Sequence, residues 1–358
     1  MNELHMKRGT RKVSFRFELL NRNEMKIGEV ECKSGRVSYG ENRAVMRSAV
    51  FELSAEWRQK IDFLSDKLRP WFVLHMPKGG TVEWPLGVFL LSSPRYRIVG
   101  ASKSLIIGAY DKTVILEEDR FTNRFYISRG SPYIGTVERI LASSGILFSK
   151  IAASNKVFAD DAEYPTGMKK RDVVNEILRQ MNYTPIFADE TGVLCSFSYI
   201  DPAERKVDLS YSSLTGSVLY PSFTENAEFT GRANIFTRVA LNVNREEISS
   251  TYINSNPQNP LSTVRRGRNI VDYEQLNNIN DQETLDIFTK RSAIEKSIAG
   301  SRLHFKTPVM PGHGCFGTLF LNIPEVLDTP AKFVETAWEM DLRNGGMMTH
   351  EARRVIRL

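Results

Sequence analysis

Between Phe15 and Leu53 the chain turns back on itself every few residues without leaving an extended backbone. Val13, Phe15, Phe17 and Leu19 alternate with Ser14, Arg16 and Glu18, the two-residue period of a strand with one dry and one wet face. Asn21-Arg22-Asn23 supplies a turn. A second strand runs through Ile27, Val30 and Cys32, a third through residues 35–39 and a fourth through residues 49–53. Short strands joined by polar turns cannot bury their dry faces one at a time, so such a chain is driven toward a sandwich or a barrel.

The same texture continues to about residue 125. Strands are expected at 71–76, 84–91, 95–99 and 104–110, with Pro77-Lys78-Gly79-Gly80-Thr81 as a turn and room for one helical turn at 62–67. Near Tyr126 the pattern changes. Val137, Ile140 and Leu141 share one helical face that stops at Gly145. A second helix starts at Thr166 or Gly167, buries Val173, Val174, Ile177, Leu178 and Met181, and ends before Pro185. Strands at 184–188 and 193–199 complete an α+β block over 126–210. From Ser217 the chain is β again, with strands at 218–220 and at 236–243, where Val239, Leu241 and Val243 face one way. Residues 245–272 form a polar loop whose Asn254-Ser255-Asn256-Pro257-Gln258-Asn259-Pro260 core is hostile to regular structure. Asp281 caps a helix over 281–299 with Leu285, Phe288, Ile294 and Ile298 inward and Gly300 as its stop. Strands follow through Leu303 and Phe305, at 315–321, and through Val334, Thr336, Trp338, Met340 and Leu342, which alternate with Glu335, Ala337, Glu339 and Asp341. Arg343-Asn344-Gly345-Gly346 turns the chain into a last strand at 349–356. Three units result: 1–125, 126–210 and 211–358.

A chain of 358 residues is long enough for two to four domains. No apolar run reaches the roughly 18 residues of a membrane span, so no stable membrane insertion is expected. The N-terminus lacks a secretory apolar core, so the chain is expected to be made and folded in a cytoplasm. Cys32, Cys195 and Cys315 match neither a disulfide framework nor a zinc spacing and are expected to be free thiols. The net charge of +6 is mild, and its clusters (Lys7-Arg8, Lys169-Lys170-Arg171, Arg265-Arg266-Gly267-Arg268, Arg353-Arg354) are scattered. A nucleic-acid module concentrates such charge, so solvated surface is the expectation.

Catalytic chemistry is hard to assemble from these residues. The five histidines show no HExxH or i,i+4 pairing. His304 alternates outward and His313 lies in a glycine turn, so both are expected at the surface. Gly312-His313-Gly314-Cys315 places its His and Cys too near in sequence to face each other. Asp160-Asp161-Ala162-Glu163 lacks EF-hand spacing, and Glu117-Glu118-Asp119 holds carboxylates of the kind a glycosidase pairs, at a separation the sequence does not give. There is no GxSxG elbow or phosphate loop. The expectation is no enzyme, no cofactor and no metal. Trp57, Trp71, Trp84 and Trp338 sit in apolar patterns and are expected in the core.

Two sets of residues resemble a known family, the hub proteins of phage tail tips and baseplates. Gly28-Glu29-Val30, Ser34-Gly35-Arg36-Val37-Ser38-Tyr39 and the stretch from Arg47 to Leu53 follow the order of its N-terminal barrel. Trp338, Met340, Leu342, Gly345, Gly346, Met347, His350, Arg353 and Arg354 are similar to its C-terminal strand pair. The resemblance implies a mainly β fold with an α+β insertion: two tail-tube-like β-barrel domains plus smaller α+β domains. It also implies a homotrimeric ring that closes the tail tube and adapts sixfold to threefold symmetry. Partners would be the tail tube protein, the distal tail ring protein, the tape-measure protein and a central spike or fibre, with at most non-specific contact to passing DNA. The place would be the virion tail tip, assembled in the host bacterial cytoplasm. Asn254, Asn256, Arg265, Arg266 and Arg268 become candidate interface or channel residues, ordering on assembly. The alternatives are a tail-associated peptidoglycan hydrolase or endopeptidase, for which no extra C-terminal module is visible before Leu358, and a receptor-binding tail module.

Overall fold

The computed structural model describes residues 11–214, 218–227, 230–240, 247–276, 279, 281–297 and 301–356. Leu241, Val243, Ile298 and Gly300, expected to extend a strand and a helix, lie outside these residues, as do His5 and the Lys7-Arg8 pair.

The first β region comprises β1 (Lys12–Leu20), β2 (Lys26–Glu29), β3 (Cys32–Gly40), β4 (Arg47–Ser54), β5 (Lys67–His75), β6 (Thr81–Pro85), β7 (Phe89–Val99) and β8 (Ser102–Tyr110). They pair antiparallel in the order β3-β4-β8-β7-β5-β1-β2, with β6 added to β5. Asn21 closes the first hairpin as its chemistry predicts: its side-chain oxygen accepts from the backbone N–H groups of Asn23 and Met25. Phe17, Leu19, Val37, Phe51, Leu53, Phe72, Phe89 and Ile107 turn into one apolar cluster. The helical turn expected at 62–67 lies earlier, at Ala55–Gln59. Asp62 instead ties a tight turn by accepting from Leu64 N–H and the Ser65 hydroxyl.

A helix at Thr113–Glu118 leads into the middle block: β9 (Phe125–Ile127), helix Tyr133–Ser143, β10 (Ser149–Ile151), β11 (Ala162–Tyr164), helix Lys170–Gln180, β12 (Phe187–Ala188) and β13 (Leu194–Ser196). Val137, Ile140 and Leu141 meet Val173, Val174, Ile177 and Leu178 in a second core. The Lys170–Gln180 helix starts later than expected because Gly167 adopts φ +86 and its N–H bonds Phe121 O, a turn conformation that suits glycine.

The remainder holds β14 (Leu209–Ser212), β15 (Thr224–Ala227), β16 (Ile235–Ala240), β17 (Ile248–Ile253), β18 (Val271–Leu276), β19 (Ser301–Pro308), β20 (Thr318–Asn322), β21 (Ala331–Asp341) and β22 (Met347–Arg354). Residues 218–220, expected as a strand, instead form an irregular segment joined to β19 through Tyr220 N–H and Lys306 O.

The polar stretch 245–272 differs most from expectation. Strands β17 and β18 flank β16 in a three-stranded sheet, backed by helix Gln282–Ser297 around Ala240, Leu276, Leu285 and Phe288. Its asparagines organise the chain locally. Asn256 Oδ1 accepts from Gln258 N–H, Asn259 Oδ1 from Leu261 N–H, and Ser262 caps the short helix Thr263–Arg266. Turn chemistry read as hostile to structure folds this segment on itself.

The architecture is mainly β with an α+β insertion, and the two β regions are hydrogen-bonded to each other. One edge of β21 is divided: Ala331–Val334 pairs with β20, while Ala337–Asp341 pairs with β3. The other edge runs along β22. All of β1–β8, β14, β15 and β19–β22 thereby belong to one 14-stranded sheet. Trp338 plugs this seam. It lies 5.9 Å from the Tyr39 ring, donates from its indole to Gly314 O, and sits under the Arg47 guanidinium.

Candidate assembly surfaces and a buried carboxylate cluster

After Leu90 strand β7 parts from β5. Ser93 has φ +46, the register with β8 slips between Ser92 and Arg95, and the residues from Ser93 to Val99 are exposed. On that stretch β7 pairs with β8, whereas β5 holds only Phe89 and Leu90. Arg95 and Tyr96 still lie across β8 from β4, and beyond them Ile98 and Val99 form with Lys103 and Ser102 a two-stranded tip. Tyr96, Ile98 and Val99 stand in water beside Arg95, Arg97 and Lys103. Arg58 covers one face of the Tyr96 ring at 5.0 Å. At the ends of the long sheet, β2 and β15 are edge strands. Unpaired strand edges are templates for further pairing, and exposed apolar side chains beside one favour a protein partner.

The residues singled out in sequence lie together on the β16–β18 unit, with unequal access. Arg265 and Arg268 are exposed; Arg266 and Asn256 are half-buried. Asn254 is 1% exposed, its backbone holding Asn234 and Thr263, so it supports the loop from within and does not present a surface. Arg266 Nη1 donates to Arg232 O. Two other charged runs neutralise each other: Lys169 and Arg171 pair with Glu117, and Lys170 with Asp119. Asp161 accepts from Arg129 N–H and Glu163 pairs with Arg124. The cysteines are free thiols.

His313 is not at the surface. It lies 4% exposed in the loop between β19 and β20, and it meets Glu335 of β21 and His350 of β22. His313 Nδ1 is 2.6 Å from Glu335 Oε2, and His350 Nδ1 is 2.6 Å from Glu335 Oε1. The outer nitrogens reach hydroxyls, His313 Nε2 to Tyr211 at 2.7 Å and His350 Nε2 to Thr307 at 2.9 Å. Phe305 stacks on the His350 ring at 4.4 Å. Burial favours a neutral Glu335, but the nearby His313 and the hydrogen bonds from both rings outweigh it and hold the carboxyl at about 2. Burial also drives His350 down to about 4, against the pull of Glu335. His304 is half-buried on β19.

Sequence reasoning missed this cluster for a definable reason. The alternation along 331–342 assigns Glu335 to the wet face. A bulge between Glu335 and Ala337 inserts one residue, which reverses the parity of the strand. Phe333 and Glu335 therefore share the inner side with Trp338 and Met340.

No family model matches the chain, and no curated protein sequence does. Solved structures do. A tail protein from Neisseria meningitidis MC58 superposes with TM-score 0.68 at 10% identity, over 95% of this chain and 96% of that one. The 43 kDa tail protein of prophage MuSo2 from Shewanella oneidensis gives 0.64 at 10% identity, over 94% and 98%. Prophage tail protein gp18 from Listeria monocytogenes EGD-e gives 0.56 at 9% identity, over 94% of each. These likenesses establish the fold: over nearly its whole length the chain folds like phage tail proteins.

Proposed function

We propose that this chain is the structural hub of a phage, or phage-like, tail tip. Three copies form a ring that closes the tail tube and adapts its sixfold symmetry to a threefold tip. The observation that carries this reading is the β3–β21 seam. It locks two β regions of one chain side by side as a single sheet, so three chains offer six β units in fixed relation. Residues 1–125 and 211–358 supply the two tube-like units, and 126–210 lies between them. A cyclic assembly of this kind closes on itself, and the exposed end of β7 from Ser93 to Val99, with edges β2 and β15, provides the strand surfaces its neighbours need. Asn256, Arg265, Arg266 and Arg268 line an interface or the channel, with Asn254 holding their loop. The neighbours are the tail tube protein, the distal tail ring protein, the tape-measure protein and a central spike or fibre. Passing DNA meets only phosphate-directed charge. The role is mechanical and involves no catalysis.

Labelling tests the placement. Particles built with an epitope-tagged copy of the chain should show antibody at the tail tip alone in electron micrographs. Label along the whole tube, on fibres only, or absent from particles would refute the assignment.

A further inference from the structure

We propose that His313, Glu335 and His350 form a structural site for one divalent metal ion of the zinc class. The three side chains come from separate elements, and their ligand atoms lie within 4.8 Å of one another. Imidazole nitrogen and carboxylate oxygen are donors that zinc takes, and structural zinc is four-coordinate. With both oxygens of Glu335 the cluster supplies four donor atoms. The inference does not depend on the hub reading.

Ring orientation argues for the site more strongly than ligand count does. Both imidazoles direct Nδ1 at the same carboxylate and Nε2 at a hydroxyl. A metal-bound histidine needs an outer partner for its remaining N–H. A hydroxyl donates or accepts equally well, so Tyr211 and Thr307 satisfy either tautomer. Without metal, each Nδ1–H donates to Glu335. With metal, the Nδ1 lone pairs face the ion and the Nε2–H groups donate to Tyr211 and Thr307. The N···O separations of 2.6 Å then widen so that an ion at about 2.0–2.2 Å from each donor fits between them, in a four-coordinate shell that the carboxylate bite distorts from the tetrahedron. The His313 loop has room for that adjustment: a Cβ built on Gly312 or Gly314 meets nothing within 4 Å.

Charge points the same way. Among the described residues, the ion-pair partners of Glu335 are the two histidines, with no lysine or arginine at its carboxylate. A carboxylate enclosed beside Phe305 and Tyr211 requires compensation, which a divalent cation supplies more fully than imidazoles. The ion would fasten the β19–β20 loop to β21 and β22 where β21 changes partners.

The test uses the full chain without a polyhistidine tag. Expressed with zinc and dialysed, it should retain about one zinc per chain, and cobalt in its place should give the visible bands of a four-coordinate site. Zinc returned to chelator-stripped protein should raise the melting temperature. Tyr211→Phe, which keeps the ring and removes one outer partner, should weaken zinc binding by roughly 10- to 100-fold. Glu335→Gln should abolish it; because that change also strikes the core, Tyr211→Phe is read beside it. Natively folded protein holding less than about a tenth of an equivalent, with no thermal response to zinc, overturns the proposal. So does zinc binding that both variants leave intact.

Discussion

Each β region buries a carboxylate, and the two solve the resulting charge problem differently. Glu18, expected to face water, is 5% exposed on β1. Arg16, Arg69 and the Trp71 indole donate to it at 2.5 to 2.8 Å. Burial favours its neutral form, but hydrogen bonds from Arg16, Trp71 and Arg69 hold the carboxyl at about 2. Glu335 is held equally low by imidazoles. Guanidinium groups stay charged at any working pH, whereas burial pushes His350 to about 4, so it gains a charge in acid. The lesson is that two sheets of similar pattern can differ in the pH range over which they stay intact.

The largest expected difference comes from deleting each carboxylate. Glu335→Ala leaves two buried Nδ1–H groups without an acceptor beside a cavity and should cost about 3–5 kcal/mol. Glu18→Ala, whose arginines can turn to water, should cost about 1–3 kcal/mol. Urea denaturation measures both, and equal losses would break the comparison. Acid comes next, in chelator. The His350 value in the fold lies below its ordinary 6.5, so protonation favours unfolding; stability is full above about 6.5 and falls as pH drops toward 4. Glu18 and Glu335 lie below their ordinary 4.5, so their contribution is present above that value and lost as pH falls toward 2. Hydrogen exchange should therefore show β19, β21 and β22 loosening before β1 and β5; the reverse order would contradict it. The smallest effect on the monomer belongs to the β7–β8 tip. Ile98→Ser with Val99→Ser should change stability by no more than about 0.5 kcal/mol while lowering self-association in sedimentation, and unaltered assembly would remove the tip from the interface.

Much of this fold can be read in the sequence wherever one face of an element is dry. The dry face of β1 at Phe17 and Leu19, the Asn21 turn and the stripe from Val173 to Leu178 all predict what is found. Legibility fails where tertiary structure changes the rule. The bulge beside Glu335 reverses strand parity, and the arginines around Glu18 turn a wet face into a covered one. In the Asn254–Pro260 stretch, side chains that break helices and strands close turns instead. The seam between β3 and β21 is likewise invisible, because pairing across some three hundred residues leaves no local pattern. His313, Glu335 and His350 are scattered for the same reason: three elements bring them together, so no spacing motif exists to find.

The mass of the chain in solution tests the central claim most directly. Light scattering at micromolar concentration should give three times the monomer mass for the chain alone, or three copies of the chain per complex once the tail tube protein is added. A chain that remains monomeric in both conditions would contradict the account.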